Sequence, residues 1–222
     1  LRGEPAMTIK GESSEIQHKT ESPMKATLKT LIITACTLCL MLSSCDSQTK
    51  RMEQAQTLYK EGVQLREQRR SEEAAEKFLQ GLAVVQRSQK TEEAIQMEGQ
   101  LSDNLGDLYL KHGLFEDALK QHQLALACFR QTADSTGMMN AYRNSGRAVR
   151  AQEQYIQAKQ YYDSAFRIAS FMNDTAMLGD LYLEMGRDYY METGNFAKGI
   201  ESVNQALEYG LNDNDTDIAH MT

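Results

Sequence analysis

Apolar positions along this chain follow two regimes. From Leu31 to Leu42 they run unbroken apart from Thr34 and Thr37, for 12 residues. Past residue 55 they are spaced instead, and small and large residues return about every 40 positions. Glycines stand at Gly62, Gly106, Gly146 and Gly186, in steps of 44, 40 and 40. A second small residue follows each by 12, 12, 12 and 13 positions, at Ala74, Ala118, Ala158 and Gly199. Four residues later come Phe78, His122, Tyr162 and Val203, then Gly81, Ala125, Ala165 and Ala206. Small residues let antiparallel helices approach, and a large residue one turn on fills the groove beside them. The pattern predicts helix pairs, the first helix carrying the glycine and the second the alanine. Gly113 and Gly194 should end first helices, and Ser71 should cap a second one. Asp134-Ser135, Asn173-Asp174 and Asn214-Asp215 should start the next first helices. The only prolines, Pro5 and Pro23, precede all of this. The prediction is therefore all-α.

The recurring text has a family likeness. Leu105-Gly106-Asp107-Leu108-Tyr109 parallels Met185-Gly186-Arg187-Asp188-Tyr189, with weaker copies at Ser145-Gly146-Arg147-Ala148-Val149 and Glu61-Gly62-Val63-Gln64-Leu65. With the second small residue and the large one after it, this resembles the tetratricopeptide repeat over about residues 55 to 210. The resemblance implies a solenoid of helical hairpins wound as a right-handed superhelix, with four repeats and the start of a fifth. It also implies that the first helices line a concave, partner-binding face. Two departures stand out. The repeats run about 40 residues rather than about 34, and they lack the closing proline. The longer form resembles repeats of bacterial signalling proteins. The fourth copy carries one extra residue before Gly194, which calls for a local bulge or a register shift.

The unbroken run is too short to span a membrane, which takes about 20 apolar residues, and suits a signal-peptide core of about 7–15. Lys25 and Lys29 precede it, and Leu42-Ser43-Ser44-Cys45 follows. That order resembles the bacterial lipoprotein box, so residues 24–45 are expected to be a signal peptide ending at a lipidated Cys45. Cys36 and Cys39 would be discarded with it. Diacyl attachment at Cys45 would supply the two chains that stable anchoring needs. Residues 1–23 are expected to be an upstream segment outside the mature protein, with Met24 as the start. Residues 46–54 should form a short tether, 55–216 the array, and 217–222 the start of a truncated further repeat.

Charge and chemistry narrow the function. Formal net charge is −7. Residues 1–45 hold five of the 24 basic and four of the 31 acidic residues, so the remainder stays near −8. Such a chain has no broad grip on nucleic acid. The sequence offers no catalytic constellation, metal-ligand spacing or phosphate loop, so no enzyme, cofactor or metal is expected. His112 and His122 read as turn and packing residues, and Cys128 as a small buried apolar group. Tyr109, Tyr155, Tyr162, Tyr182 and Tyr189 read as helix packing. The candidate partner-binding residues lie on the first helices: Asn140, Arg143, Asn144, Arg147 and Arg150 in the third repeat, with Asn104 and Arg187 at matching places. The three arginines of that repeat share one helical stripe and suit bidentate contact with a carboxylate or a peptide backbone. The competing reading is a charge-balanced face, with Arg147 paired to Asp107 or a neighbouring acid. The carboxylate clamp of chaperone adaptors is not reproduced, because Tyr59 and Val63 stand where it wants Lys and Asn.

The expectation is a lipid-anchored protein of a Gram-negative cell envelope, facing the periplasm, that binds a protein or peptide. Two roles compete: the sensory part of a larger signalling protein, and a stand-alone adaptor for envelope assembly or cell-wall enzymes.

Overall fold

The computed structural model describes residues 47–212. The upstream segment, the signal peptide, Cys45, Asn214-Asp215 and residues 217–222 lie outside the described residues. Helices follow one another through short turns: α1 (47–67), α2 (Ser71–Gln86), α3 (Glu92–Lys111), α4 (Phe115–Gln131), α5 (Ser135–Arg150), α6 (Tyr155–Met172), α7 (Thr175–Met185) and α8 (Phe196–Asn212). A π-helical segment, Gly186–Met191, continues α7. Residues 47–54 are therefore not a tether but the first turns of α1, with Met52 already buried. None of the described helices is long and apolar enough to cross a membrane.

Odd-numbered helices, with the π segment in the fourth repeat, carry the first glycines, and even-numbered ones carry the second small residue, alanine in three repeats and Gly199 in the fourth, so each repeat is one hairpin. Its closest approach is at the glycine. A Cβ on Gly62 would stand 2.5 Å from the Phe78 ring, one on Gly106 2.6 Å from His122, and one on Gly146 2.5 Å from Tyr162. Phe78, His122 and Tyr162 are fully buried, as are Ala74, Ala118, Ala125 and Ala165. The core is a stack of such glycine–ring contacts joined by leucines, Leu101, Leu105 and Leu108 among them.

The fourth hairpin departs as its extra residue requires. The π segment absorbs the insertion inside the first helix, where a single widened turn can take one residue without breaking the helix. Gly186 then meets the Gly199 carbonyl, Ser202 and Val203 rather than a ring.

The hairpin turns share one backbone solution. Arg69, Gly113, Glu153 and Gly194 all take left-handed φ, at 62°, 76°, 62° and 77°. The next amide bonds back to the first helix, as in Arg70 N–H to Leu65 O at 2.9 Å and Gln154 N–H to Val149 O at 3.1 Å. This is the αL helix ending that glycine satisfies at no steric cost. It also explains why Ser71 does not cap α2. The flanking position belongs to Arg70, held by this turn and making no side-chain cap bond. First helices do use side-chain caps. Asp134 accepts from Gly137 N–H at 2.8 Å, Asp174 from Met177 N–H at 3.0 Å, and Thr91 from Ala94 N–H at 3.2 Å.

Arg69 and Glu153 hold a conformation that costs a side chain about 1 kcal/mol. Arg69→Gly and Glu153→Gly should each raise stability by about 0.5–1 kcal/mol, while Gly113→Ala should lower it by at least as much. Urea-unfolding midpoints of the three variants check this, and a lower midpoint for Glu153→Gly would refute it.

Candidate functional site

The candidate residues sit where each first helix faces the next one, and the structure ties them into rungs about 40 residues apart in sequence. Between α1 and α3, Arg66 donates to Asn104 Oδ1 at 2.6 Å and lies 3.7 Å from Asp107. Asn104 also donates to Gln100 O at 2.8 Å. Between α3 and α5, Asn144 donates to Asp103 Oδ1 at 3.3 Å. The same oxygen accepts from His122 Nδ1 at 2.8 Å, so the second helix of the hairpin joins the rung. His122 is thus the packing residue that the sequence indicated, with its Nε2 buried and unbonded.

The densest rung joins α5 to α7 and the π segment. Arg143 donates Nε to Glu184 Oε1 at 3.0 Å, brings Nη2 to the same oxygen at 2.9 Å, and places Nη1 2.8 Å from Asp180. Arg147 turns Nε towards Glu184 at 3.8 Å. Arg150 Nε lies 3.3 Å from Asp188, and Arg187 donates Nε to the same carboxylate at 2.8 Å. Tyr162 O–H donates to Asp188 at 3.4 Å. Asp188 stands two positions after its glycine, the place that Leu108 and Ala148 fill in the two preceding hairpins, and is buried as they are, beside the ring of the preceding hairpin. Asn140 joins none of these bonds.

Four of the seven candidates therefore converge, namely Arg143, Arg147, Arg150 and Arg187. Asn144 and Asn104 belong to the two earlier rungs. Arg147 pairs with Glu184, and Asp107 takes Arg66 instead. Sequence reasoning missed Arg66, Asp103, Asp180, Glu184 and Asp188. One signal could have found several of them: Arg66 to Asp107, Asp103 to Asn144 and Arg143 to Glu184 are each 41 positions apart.

Burial sets the protonation tendencies. It raises Glu184 above the usual carboxylate range, against the pull of Arg143 and Arg147. It raises Asp107 too, helped by Asp103 and opposed by His122, Arg147 and Arg66. Burial works against the charge on Arg143, but Glu184 and Asp180 outweigh it and hold the guanidinium charged. Burial pushes the Cys128 thiol up to about 11. Among the described residues no cluster of His, Cys, Asp and Glu could hold a metal ion.

The comparisons agree with this architecture. Residues 99–170, which span α4 and α5 with the adjoining parts of α3 and α6, match the tetratricopeptide repeat family. No curated protein matches the chain. Solved structures of similar fold include the following two. Aspartyl phosphate phosphatase F from Bacillus subtilis is 18% identical with a TM-score of 0.66, over 76% of this chain and 43% of that one. BtubC (BKLC) from P. vanneervenii is 15% identical with a TM-score of 0.59, over 77% of this chain and 73% of that one. At these identities the likeness is one of fold, and the chain spans less than half the length of the phosphatase. Fold, hairpin contacts and family match together define an all-α solenoid of the tetratricopeptide type.

Removing Glu184 would leave Arg143 half-buried without its main partner. Glu184→Ala should cost about 2–3 kcal/mol, and adding Arg143→Ala should cost clearly less than the sum of the two single changes. A urea double-mutant cycle measures this, and simple additivity would show that the rung is not energetically coupled. Cys128, buried and poorly ionised, should resist a thiol reagent such as DTNB at neutral pH until the chain is unfolded. Labelling at the rate of a free thiol in the folded protein would contradict the packing of α4.

Proposed function

We propose that this chain is a lipid-anchored helical-repeat protein of the bacterial cell envelope that binds a protein or peptide on the face of its first helices, as the sensory part of a larger signalling protein. The observation that carries the binding reading is the first-helix face itself. Its side chains are cross-linked from hairpin to hairpin, yet the side chains of Arg147, Arg150 and Arg187 stay 44%, 39% and 55% exposed. A surface fixed in this way loses little freedom on binding, which favours affinity. The anchor rests on Leu42-Ser43-Ser44-Cys45, and the signalling role on the long repeat. A second reading is a stand-alone envelope adaptor. The lipobox favours it, because a protein with its own membrane helix scarcely needs a lipid.

Two experiments test this. In a Gram-negative host, Cys45→Ser should abolish incorporation of labelled fatty acid, and label on that variant would overturn the anchor. The tagged full chain should capture a partner from solubilised envelope. Asn140→Trp, which places bulk on the first-helix stripe, should deplete that partner at least tenfold, while Gln123→Trp on the exposed side of α4 should not. Equal loss with both substitutions would move binding off this face.

A further inference from the structure

The lipid anchor proposed above has no tether. Cys45 stands two residues before Ser47, where α1 is already helical. Two residues of chain reach at most about 7 Å. The start of α1 is therefore held close to the lipid that Cys45 would carry. Nor can that start swing away from the array. Gln48 donates Nε2 to Gln89 O at 3.3 Å and accepts from Gln89 N–H at 3.0 Å. Arg51 donates Nη1 to Arg87 O at 3.0 Å, and Met52 is buried. The anchor thus brings one particular surface to the bilayer: the first turn of α1 and the α2–α3 turn pinned to it.

That surface differs in charge from the rest of the chain. Residues 47–52 and 86–91 hold Lys50, Arg51, Arg87 and Lys90 and no acid, in a chain of net charge −7. All four residues are exposed. Lys90 meets Glu98 at 2.6 Å, yet its side chain stays 57% exposed. Arg51 spends one nitrogen on a backbone carbonyl, and neither it nor Arg87 pairs with a carboxylate among the described residues. The acids beyond, Glu53 and Glu93, line the cleft between α1 and α3, whereas Arg51 turns to the end of α2.

We propose that Lys50, Arg51, Arg87 and Lys90 seat this end of the array on the phosphate headgroups of an anionic membrane. The proposal rests on the anchor reading above and adds an orientation to it. Attraction to a charged bilayer falls off within a Debye length, about 8 Å at physiological salt, so only basic residues beside the anchor can use it. Guanidinium groups suit the task because their planar fork matches phosphate. A lipid fixes depth but lets the protein turn about its attachment. A rigid basic patch beside the lipid decides which side faces the headgroups.

The test uses the full chain, made and processed in a Gram-negative host and reconstituted with vesicles. Gln89→Cys carries a fluorophore that lipids spin-labelled at the headgroup quench. His112→Cys, at the far end of α3, carries the same dye as a control. Flotation with phosphatidylcholine vesicles reports the anchor. At low salt, replacing one-third of that lipid by phosphatidylglycerol should raise quenching at position 89 about twofold or more and leave position 112 unchanged. Arg51→Gln with Arg87→Gln should abolish the increase. Half-molar salt should abolish it too with both arginines intact, which keeps the test decisive if that pair does not fold. Flotation with both kinds of vesicle and equal quenching at position 89 overturns the patch and leaves the anchor standing. An increase that survives the arginine changes or the salt also overturns the patch. Flotation only with phosphatidylglycerol overturns the anchor and leaves the patch, and no flotation with either overturns both.

Discussion

The contact on which the rest of the array depends is the seating of a large second-helix side chain against a first-helix glycine. Phe78 on Gly62, His122 on Gly106 and Tyr162 on Gly146 leave no room for a Cβ. That contact fixes how far apart and at what phase the two helices of a hairpin lie. Protein interiors pack near crystal density, so a phase set at one contact propagates along both helices. It decides which side of the first helix turns towards the next hairpin. The polar rungs can form only because the glycine side of each first helix is spent on its own partner.

The large residue need not be apolar, and this choice ties packing to the polar face. In the second hairpin the packing residue is His122, whose Nδ1–H reaches Asp103, which in turn accepts from Asn144 of the third hairpin. In the third it is Tyr162, whose hydroxyl reaches Asp188 of the fourth. Two of the three ring positions thus carry a polar tip into the rung that joins their hairpin to a neighbour. Ring side chains that carry a polar atom suit such a place, since the body fills the groove while a polar atom at the edge reaches a partner in the rung. Buried acids are costly unless paired, and here the pairing partners come from separate hairpins. Register between hairpins is thereby specified more sharply than by leucine contacts alone.

Local chemistry made much of the fold readable. The small–large spacing depends on helix geometry alone and located every hairpin. Gly113 and Gly194 marked turns because glycine is the usual left-handed residue, and Asp134 and Asp174 marked helix starts because their carboxylates cap. Arg69 and Glu153 were missed at the same kind of turn because the tertiary fold imposes the conformation on residues that do not prefer it. The first turns of α1 were missed because residues 46–54 carry no repeat signature. At the site, the arginine stripe was legible as one side of α5. Its acids were not, since they come from α7 and the π segment, and only the rise between hairpins brings residues 41 apart into contact.

The inserted residue of the fourth repeat joins these strands. An extra residue in a first helix could have been lost in a turn, leaving the stripe unchanged. Held instead as a π segment, it leaves Asp188 at the place two after the glycine that is buried in the two preceding hairpins as Leu108 and Ala148, a depth where Tyr162, Arg150 and Arg187 all reach it. Without that acid, Arg150 and Arg187 would lack a shared anchor and would move as free surface chains. Long cationic side chains lose rotamer freedom when they bind, and one already held at its inner nitrogen loses less. The rung between the third and fourth hairpins is therefore set by which residue stands at that buried position, an acid in the fourth hairpin and an apolar residue in the two before it.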